Sequence, residues 1–206
     1  MARQNRVTPL GEIVTNDARG TLMGNRGCIH EANGTLSKRR WARKQWVICK
    51  LEFAGRHRQI MAPGRYTELF FLDEATALAA GHRPCAPCQR VRYEEYAAAW
   101  RETHGAGRSI SDIDNQLHRE RAAVIGIEML PLRRFNDVPV GAFFMSDDSN
   151  DLMLRTRNDV KAWTIRGYTA LTTAPWSPNK SVILVTPEST AELFKRGFMP
   201  ETHGAR

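Results

Sequence analysis

Two cysteines separated by two residues, Cys85 and Cys88, constrain this sequence more than any other feature. They lie in the segment GHRPCAPCQR, residues 81–90, where a proline directly precedes each of them. Two intervening residues allow both thiolates to reach one tetrahedral ion, with zinc–sulfur distances of about 2.3 Å, and the prolines stiffen the turn. The pair therefore predicts half of a metal site, whose other ligands come from elsewhere in the chain.

A redox-active disulfide is the alternative interpretation of the same spacing. A thioredoxin-like motif begins a long helix directly after a parallel strand, whereas this pair follows a predicted short helix and a glycine turn. Arg83 and Arg90 would lower the pKa of a nearby thiol, which is what a redox cysteine requires. The context favours the metal site, and the redox pair stays open.

The chain contains four cysteines, and its first residues lack the apolar run of a signal peptide. No apolar stretch approaches the length of a membrane span. We therefore expect a cytoplasmic protein with reduced thiols rather than a disulfide framework. A four-ligand zinc site would use every cysteine, with nearby histidines as substitutes or supports. The predicted ligands are Cys28, Cys49, Cys85 and Cys88, with His30 and His82 as alternatives.

Positive charge is concentrated in the first half of the chain. The formal net charge is +8, and residues 1–104 hold 17 Lys and Arg against 10 Asp and Glu. Residues 37–58 are the most basic segment, with Glu52 as their one acid and aromatic residues among the charges. Because basic side chains attract phosphates and aromatic rings stack on unpaired bases, we predict contact with nucleic acid. A solvated basic edge or an acidic protein partner is the alternative. The predicted contact residues are Arg39, Arg40, Trp41, Arg43, Lys44, Arg56 and Arg58.

The pattern of apolar residues predicts an α+β fold. Residues 46–53, WVICKLEF, alternate as a strand does, with Cys49 on the apolar face. Asp73 is the predicted cap of a short helix that Gly81 ends with a left-handed turn. After the cysteine pair, a longer helix with an apolar stripe is predicted to run to about His104.

A glycine-containing linker at residues 104–109 separates two predicted domains. Residues 1–104 form a basic zinc-binding domain, and residues 105–206 form a small α+β accessory domain. A helix is predicted directly after the linker, followed by strands in VPVGAFFM, DLMLRT, GYTALTT and SVILVT. Thr186 is the predicted cap of a last helix.

The segment LFFLDEATALAAGHRPCAPCQR, residues 69–90, resembles the second half of the metal-binding domain of the bacterial alkylation-response methyltransferase Ada. Both have an aromatic-rich strand, a short alanine-rich helix ended by glycine, and then Arg-Pro-Cys-x-x-Cys. The resemblance covers about a tenth of the chain. It implies that Cys85 and Cys88 bind zinc in a DNA-binding protein of repair or defence. In that family four thiolates hold the ion and one accepts a methyl group from a DNA phosphotriester, a role that would fall here to Cys28.

The predicted helix after the linker carries a second set of reactive side chains. Asp114 and His118 are one helical turn apart, and a carboxylate that orients an imidazole suits acid–base catalysis. Arg121 could hold a phosphate. His118-x-Glu120 also matches part of the zinc-deaminase signature, although here it follows the cysteine pair instead of preceding it. The predicted catalytic residues are therefore Asp114, His118 and Glu120, supported by Arg121. A solvated polar helix face, in a protein that only binds, is the alternative.

Overall fold

The chain folds into two β-sheets and four α-helices in a computed structural model that describes residues 2–55, 59–122, 129–171 and 176–204. This mixture confirms the predicted α+β class. Each sheet has six strands, and each lies entirely within one of the two predicted halves. Within the described ranges, no helix combines the length and the apolar character that a membrane span requires.

The first sheet is built from six short strands of the N-terminal half. They are β1 (Gln4–Val7), β2 (Ile13–Thr15), β3 (Leu22–Asn25), β4 (Val47–Lys50), β5 (Leu69–Phe71) and β6 (Arg83–Pro84). Their order is β2-β1-β5-β3-β4-β6. β1 runs parallel to β5 and β4 parallel to β6, whereas the other neighbours are antiparallel. The parallel β4–β6 pair brings the strand of Cys49 beside the segment that leads into Cys85.

One face of the first sheet is buried and the other is partly exposed. Ile48 and Phe71 have no exposed surface, and Gly24 leaves room for the Phe71 ring, which would lie 2.3 Å from an added Cβ. The predicted strand around β4 is confirmed, but its predicted core face is wrong. Ile48 fills the core between strands, so its neighbour Cys49 must lie on the opposite, half-buried face.

Three helices accompany the first sheet: α1 (Glu74–Ala79) lies between β5 and β6 in the chain, and α2 (Arg90–His104) and α3 (Ile110–Ala122) follow β6. The Asp73 side chain caps α1 by accepting the Thr76 backbone N–H at 2.8 Å, and Gly81 follows with a φ of 78°. Tyr96 and Trp100 of α2 are buried, which confirms the predicted apolar stripe. These three helices lie where the sequence predicted them.

The second sheet has the strand order β11-β10-β9-β8-β12-β7 and is antiparallel throughout. Its strands are β7 (Leu132–Arg134), β8 (Phe143–Ser146), β9 (Leu152–Arg155), β10 (Val160–Thr164), β11 (Gly167–Ala170) and β12 (Ser181–Leu184). The sequence predicted four of them and missed β7 and β10, which are polar at several positions. A last helix, α4 (Glu188–Lys195), is present. Thr186 does not cap it, because its hydroxyl accepts the Phe143 N–H at 2.8 Å.

Side-chain contacts cross the predicted boundary between residues 104 and 105. The Trp163 indole N–H donates to the Thr76 hydroxyl at 3.2 Å, and the Tyr168 O–H donates to the Asp73 carboxylate at 2.7 Å. One hydrophobic core contains residues of both halves. The division into two domains stays a prediction, and the two halves share packing around α1.

Candidate metal centre

Three sulfur atoms converge at the edge of the first sheet. The Sγ atoms of Cys49, Cys85 and Cys88 all lie within 4.8 Å of one another, and no fourth Cys, His, Asp or Glu of the described ranges joins the group. Sulfur atoms on two corners of a zinc tetrahedron lie about 3.8 Å apart when each zinc–sulfur bond is about 2.3 Å. The three thiols can therefore bind one ion after a small adjustment, and they form a candidate metal site.

The backbone of β4 sets this geometry. Ile48 is paired with Pro84 in the β4–β6 ladder, and its carbonyl oxygen accepts the backbone N–H of Cys85 at 2.9 Å. The same oxygen accepts the side-chain amide of Gln89 at 2.8 Å, at the start of α2. Because successive side chains of a strand lie on opposite faces, Cys49 lies beside the cysteine turn and not in the core. The predicted convergence of Cys49 with the cysteine pair is confirmed.

An ion pair fixes the segment that precedes Cys85. The guanidinium of Arg83 donates two hydrogen bonds to the carboxylate of Asp114, from Nε at 2.6 Å and from Nη2 at 2.9 Å. Both residues are buried, and a two-point contact of this kind allows little rotation. It ties β6 to α3 and so holds the chain two residues before the first ligand of the pair.

The three thiols differ in pKa. A hydrogen bond from Cys49 lowers the pKa of Cys85 to about 5, and the backbone N–H of Cys88 and the charge of Arg83 act in the same direction. The same hydrogen bond, together with burial, raises the pKa of Cys49. Burial also raises the pKa of Cys88. Without a metal, the cluster therefore favours one thiolate, on Cys85, over three.

Cys28 and His30 do not join the cluster, so the structure does not bring either predicted fourth ligand to the three sulfurs. Met23, and not Cys28, lies opposite Cys49 in the β3–β4 ladder, because β3 ends before Cys28 and the chain then leaves the sheet. Cys28 is exposed. His30 is buried, and its two ring nitrogens lie 2.7 Å from the Thr67 hydroxyl and 3.2 Å from the Ala62 carbonyl oxygen.

His82, the other alternative ligand, is buried and lies outside the sulfur cluster. Its Nε2 atom accepts a hydrogen bond from Nε of Arg26 at 3.2 Å. The Arg26 guanidinium in turn lies over the Trp46 ring, 4.2 Å from its centre. Burial, and then the charge of Arg26, lower the pKa of His82 well below its usual range. Arg26 is not among the predicted site residues, because nothing in the sequence NRGC distinguishes a buried arginine from an exposed one.

Two members of the predicted catalytic helix have structural partners. Glu120 accepts a hydrogen bond from the Ser189 hydroxyl at 2.8 Å, which ties α3 to α4. Arg121 is buried and donates from Nε to the carbonyl oxygen of Ala79 at 2.7 Å, at the end of α1. Both side chains therefore join helices to each other.

The Nδ1 atom of His118 has no hydrogen bond to the carboxylate that was predicted to orient it. Both oxygens of Asp114 accept from Arg83, and Nδ1 of His118 is buried without a hydrogen-bond partner in the described ranges. The His118 ring packs edge-on against Trp41, with 4.4 Å between ring centres. Burial and the charge of Lys44 lower its pKa. The structure does not assemble these residues into an acid–base pair.

The predicted nucleic-acid residues lie on the surface where they are described. Five of them are exposed in the loop that precedes β4, namely Arg39, Arg40, Trp41, Arg43 and Lys44. Arg56 and Arg58 lie outside the described residues. Trp46, which the same segment contains, is buried. The basic segment therefore divides into an exposed loop and a partly buried strand that carries Cys49.

Comparisons with family models, with curated proteins and with solved structures found no match to this chain.

Proposed function

We propose that this protein is a zinc protein that binds nucleic acid, with DNA as its partner, in repair or in defence against damaged or foreign DNA. The observation that carries the proposal is the convergence of Cys49, Cys85 and Cys88 at the edge of a sheet in the basic half of the chain. Thiolates are preferred zinc ligands, and the two-residue spacing is typical of zinc sites. A tetrahedral ion with three sulfur ligands keeps a fourth position for another donor.

The exposed basic loop supports nucleic acid as the partner. A groove of about 380 Å³ is lined by Lys38, Arg39 and Arg40, with Glu12 as the acid in its lining. Trp41, beside them, is 39 % exposed, so its ring can contact a base while the arginines contact phosphates. The resemblance of residues 69–90 to the metal-binding domain of Ada supports the same proposal.

Metal analysis combined with thiol counting tests the zinc part of the proposal. We expect about one zinc ion per purified chain and a single readily titrated thiol, because Cys28 is exposed and outside the cluster. A chelator should then release three further thiols. Four reactive thiols before chelation, or no bound metal, would contradict a zinc site at this cluster.

The salt dependence of binding to a DNA duplex tests the nucleic-acid part. Each phosphate contact contributes about 0.9 to the slope of log affinity against log salt. The double variant Arg39→Ala/Arg40→Ala should bind more weakly with a lower slope. Arg157→Ala, which removes an exposed arginine of the second sheet region, is the matched control. An affinity that does not change with salt would contradict contact through phosphates.

A second candidate function is methyl acceptance by a cysteine of the cluster, which the partial exposure of the three cysteine residues favours. The Cys85 sulfur would form a bond to the methyl carbon of a DNA phosphotriester while the carbon–oxygen bond breaks, leaving a phosphodiester. Cys85 is proposed in place of the predicted acceptor Cys28, because Cys28 lies outside the cluster. Mass spectrometry after incubation with methyl-phosphotriester DNA tests this function, and a protein that stays unmodified would exclude it.

A further inference from the structure

We infer that a pocket on the partly exposed face of the first sheet binds one unpaired nucleotide of a nucleic-acid strand. The inference rests on the proposed nucleic-acid binding and assigns to it a subsite that the basic loop does not contain. The pocket has a volume of about 560 Å³, large enough for a nucleoside. The lining residues that matter here are Arg3, Arg6, Arg19, Leu51, Ile60 and Phe70.

The pocket lies on the same face of the sheet as the metal centre. Arg6 is paired with Phe70 across β1 and β5, Phe70 with Met23 across β5 and β3, and Met23 with Cys49 across β3 and β4. Paired residues of neighbouring strands have their side chains on the same face. With about 4.8 Å between strands, Phe70 lies about 10 Å from Cys49 along this row. A nucleic-acid strand bound in the pocket would therefore lie close to the three sulfur atoms.

The pocket offers an apolar surface of the kind that a base requires. Leu51 and Ile60 are 48 % and 39 % exposed, and they line the pocket together with Phe70. The guanidinium of Arg6 lies over the Phe70 ring, 4.9 Å from its centre. Hydrogen bonds to the carbonyl of Ala18 and to the side chain of Asn5 hold that guanidinium in place. A fixed aromatic ring and a flat guanidinium are the two groups on which bases stack.

The rim of the pocket is positively charged. Arg3 and Arg19 are exposed, and Nη1 of Arg3 donates to the Ile60 carbonyl oxygen at 2.9 Å, which places it beside the apolar surface. Asp17 is the one acid among the lining residues described, and it forms an ion pair with Arg166. The arginines are therefore available to a phosphate. An acidic peptide would satisfy them too, but it would leave the stacked ring and the neighbouring apolar side chains without a function.

Binding of a fluorescein-labelled oligothymidylate, followed by anisotropy, tests the inference. Phe70→Leu keeps an apolar residue in β5 and removes the ring. We expect the affinity for the single strand to fall about 5- to 150-fold, the range given by loss of one base–aromatic stack. Arg19→Ala should lower the salt slope by about 0.7, the contribution of one phosphate on a single strand. Arg157→Ala is the control, and equal circular dichroism spectra and zinc contents show that the variants are folded.

The outcomes separate the two proposals. If the wild type binds the oligonucleotide and only the Arg39→Ala/Arg40→Ala variant loses affinity, nucleic-acid binding stands and the pocket inference is wrong. If the wild type binds neither single strand nor duplex, both proposals fail. Polyglutamate that displaces the oligonucleotide from wild type and from Phe70→Leu equally well would identify a protein-binding pocket and overturn the inference. Photocrosslinking of an oligonucleotide that contains 4-thiothymidine should label the peptide around Phe70, and labelling confined to the basic loop would also overturn it.

Discussion

The backbone N–H of Cys85 donates a hydrogen bond of 2.9 Å to the carbonyl oxygen of Ile48. Ile48 is completely buried, so this contact attaches the cysteine turn directly to the core of the first sheet. The neighbouring Cys49 has its side chain on the other face of the strand, where it meets the pair. The sulfur cluster is therefore assembled by the fold, and an ion that binds there needs to order few additional groups.

Replacement of Cys85 should abolish metal binding, whereas replacement of Cys28 should not. Cys85→Ser removes one of three clustered sulfurs, and Cys28→Ser removes an exposed thiol outside the cluster. Because a ligand that binds only the folded state stabilises it, a chelator should lower the Tm of the wild type and of Cys28→Ser. It should leave the Tm of Cys85→Ser unchanged. Inductively coupled plasma mass spectrometry gives the zinc content of each variant.

A Cys28→Ser variant that loses zinc while Cys49→Ser keeps it would contradict this assignment. The same experiment separates a metal site from a redox pair. A redox pair formed by Cys85 and Cys88 would survive replacement of Cys49, whereas a three-sulfur metal site would not.

The sequence predicted most reliably the features that depend on neighbouring residues. The Asp73 cap, the left-handed turn at Gly81 and the meeting of two cysteine side chains separated by two residues each follow from chemistry within a few positions. These local signals do not depend on how the rest of the chain packs, and so they could be recognised without a structure.

The features that the sequence did not predict depend on contacts between distant strands. The alternation around β4 allows either face to be buried, and only the packing of Ile48 against the other strands decides that Cys49 faces outward. The pairing of Arg6 with Phe70 joins residues more than sixty positions apart, and no local pattern indicates it. The predicted role of Asp114 failed for the same reason, because its partner Arg83 lies on a different element.

The ion pair between Arg83 and Asp114 should be sensitive to the loss of one partner. Asp114→Ala leaves a buried guanidinium without its counter-charge, and such a change costs about 3–5 kcal/mol of unfolding free energy. The double variant Arg83→Met/Asp114→Leu removes both charges and should be considerably more stable than Asp114→Ala. Urea unfolding measures both values. Equal stability of the single and double variants would mean that the charges do not interact in the folded protein.

His82 should make the stability of the protein depend on pH below neutrality. Burial and the charge of Arg26 lower its pKa in the folded state, whereas in the unfolded chain it is about 6.5. The unfolded chain therefore binds a proton first as the pH falls. The contribution of neutral His82 to the free energy of unfolding is fully present above about pH 6.5. Below that pH it falls by up to about 1.4 kcal/mol per pH unit.

The variant His82→Gln isolates this effect, because glutamine can accept the hydrogen bond from Arg26 and does not titrate. As the pH falls from about 7.5 to about 5.5, the wild type should lose more of its unfolding free energy than His82→Gln does. Taking the difference cancels the pH dependence of the metal ligands, which both proteins share. A difference that stays constant with pH would show that His82 has an ordinary pKa in the folded protein.

Gly24 should tolerate no larger residue, since β3 packs directly against an aromatic ring at this position. A Cβ on Gly24 would lie 2.3 Å and 2.7 Å from two ring carbons of Phe71, which is completely buried and cannot move aside. Gly24→Ala should therefore lower the free energy of unfolding by about 1–3 kcal/mol, as overpacking of a core does.

Gly107→Ala is the matched control, because no heavy atom of the described chain lies within 4 Å of its added Cβ. Its effect on the free energy of unfolding should stay within about 0.5 kcal/mol. Urea unfolding with zinc present compares the two variants. Because β3 lies between β4 and β5, a shift of β3 should also move Cys49 and so weaken zinc binding. If Gly24→Ala unfolded like the wild type, the Phe71 ring could not lie against β3, and the inward face assigned to Ile48 and the outward face assigned to Cys49 would both have to be revised.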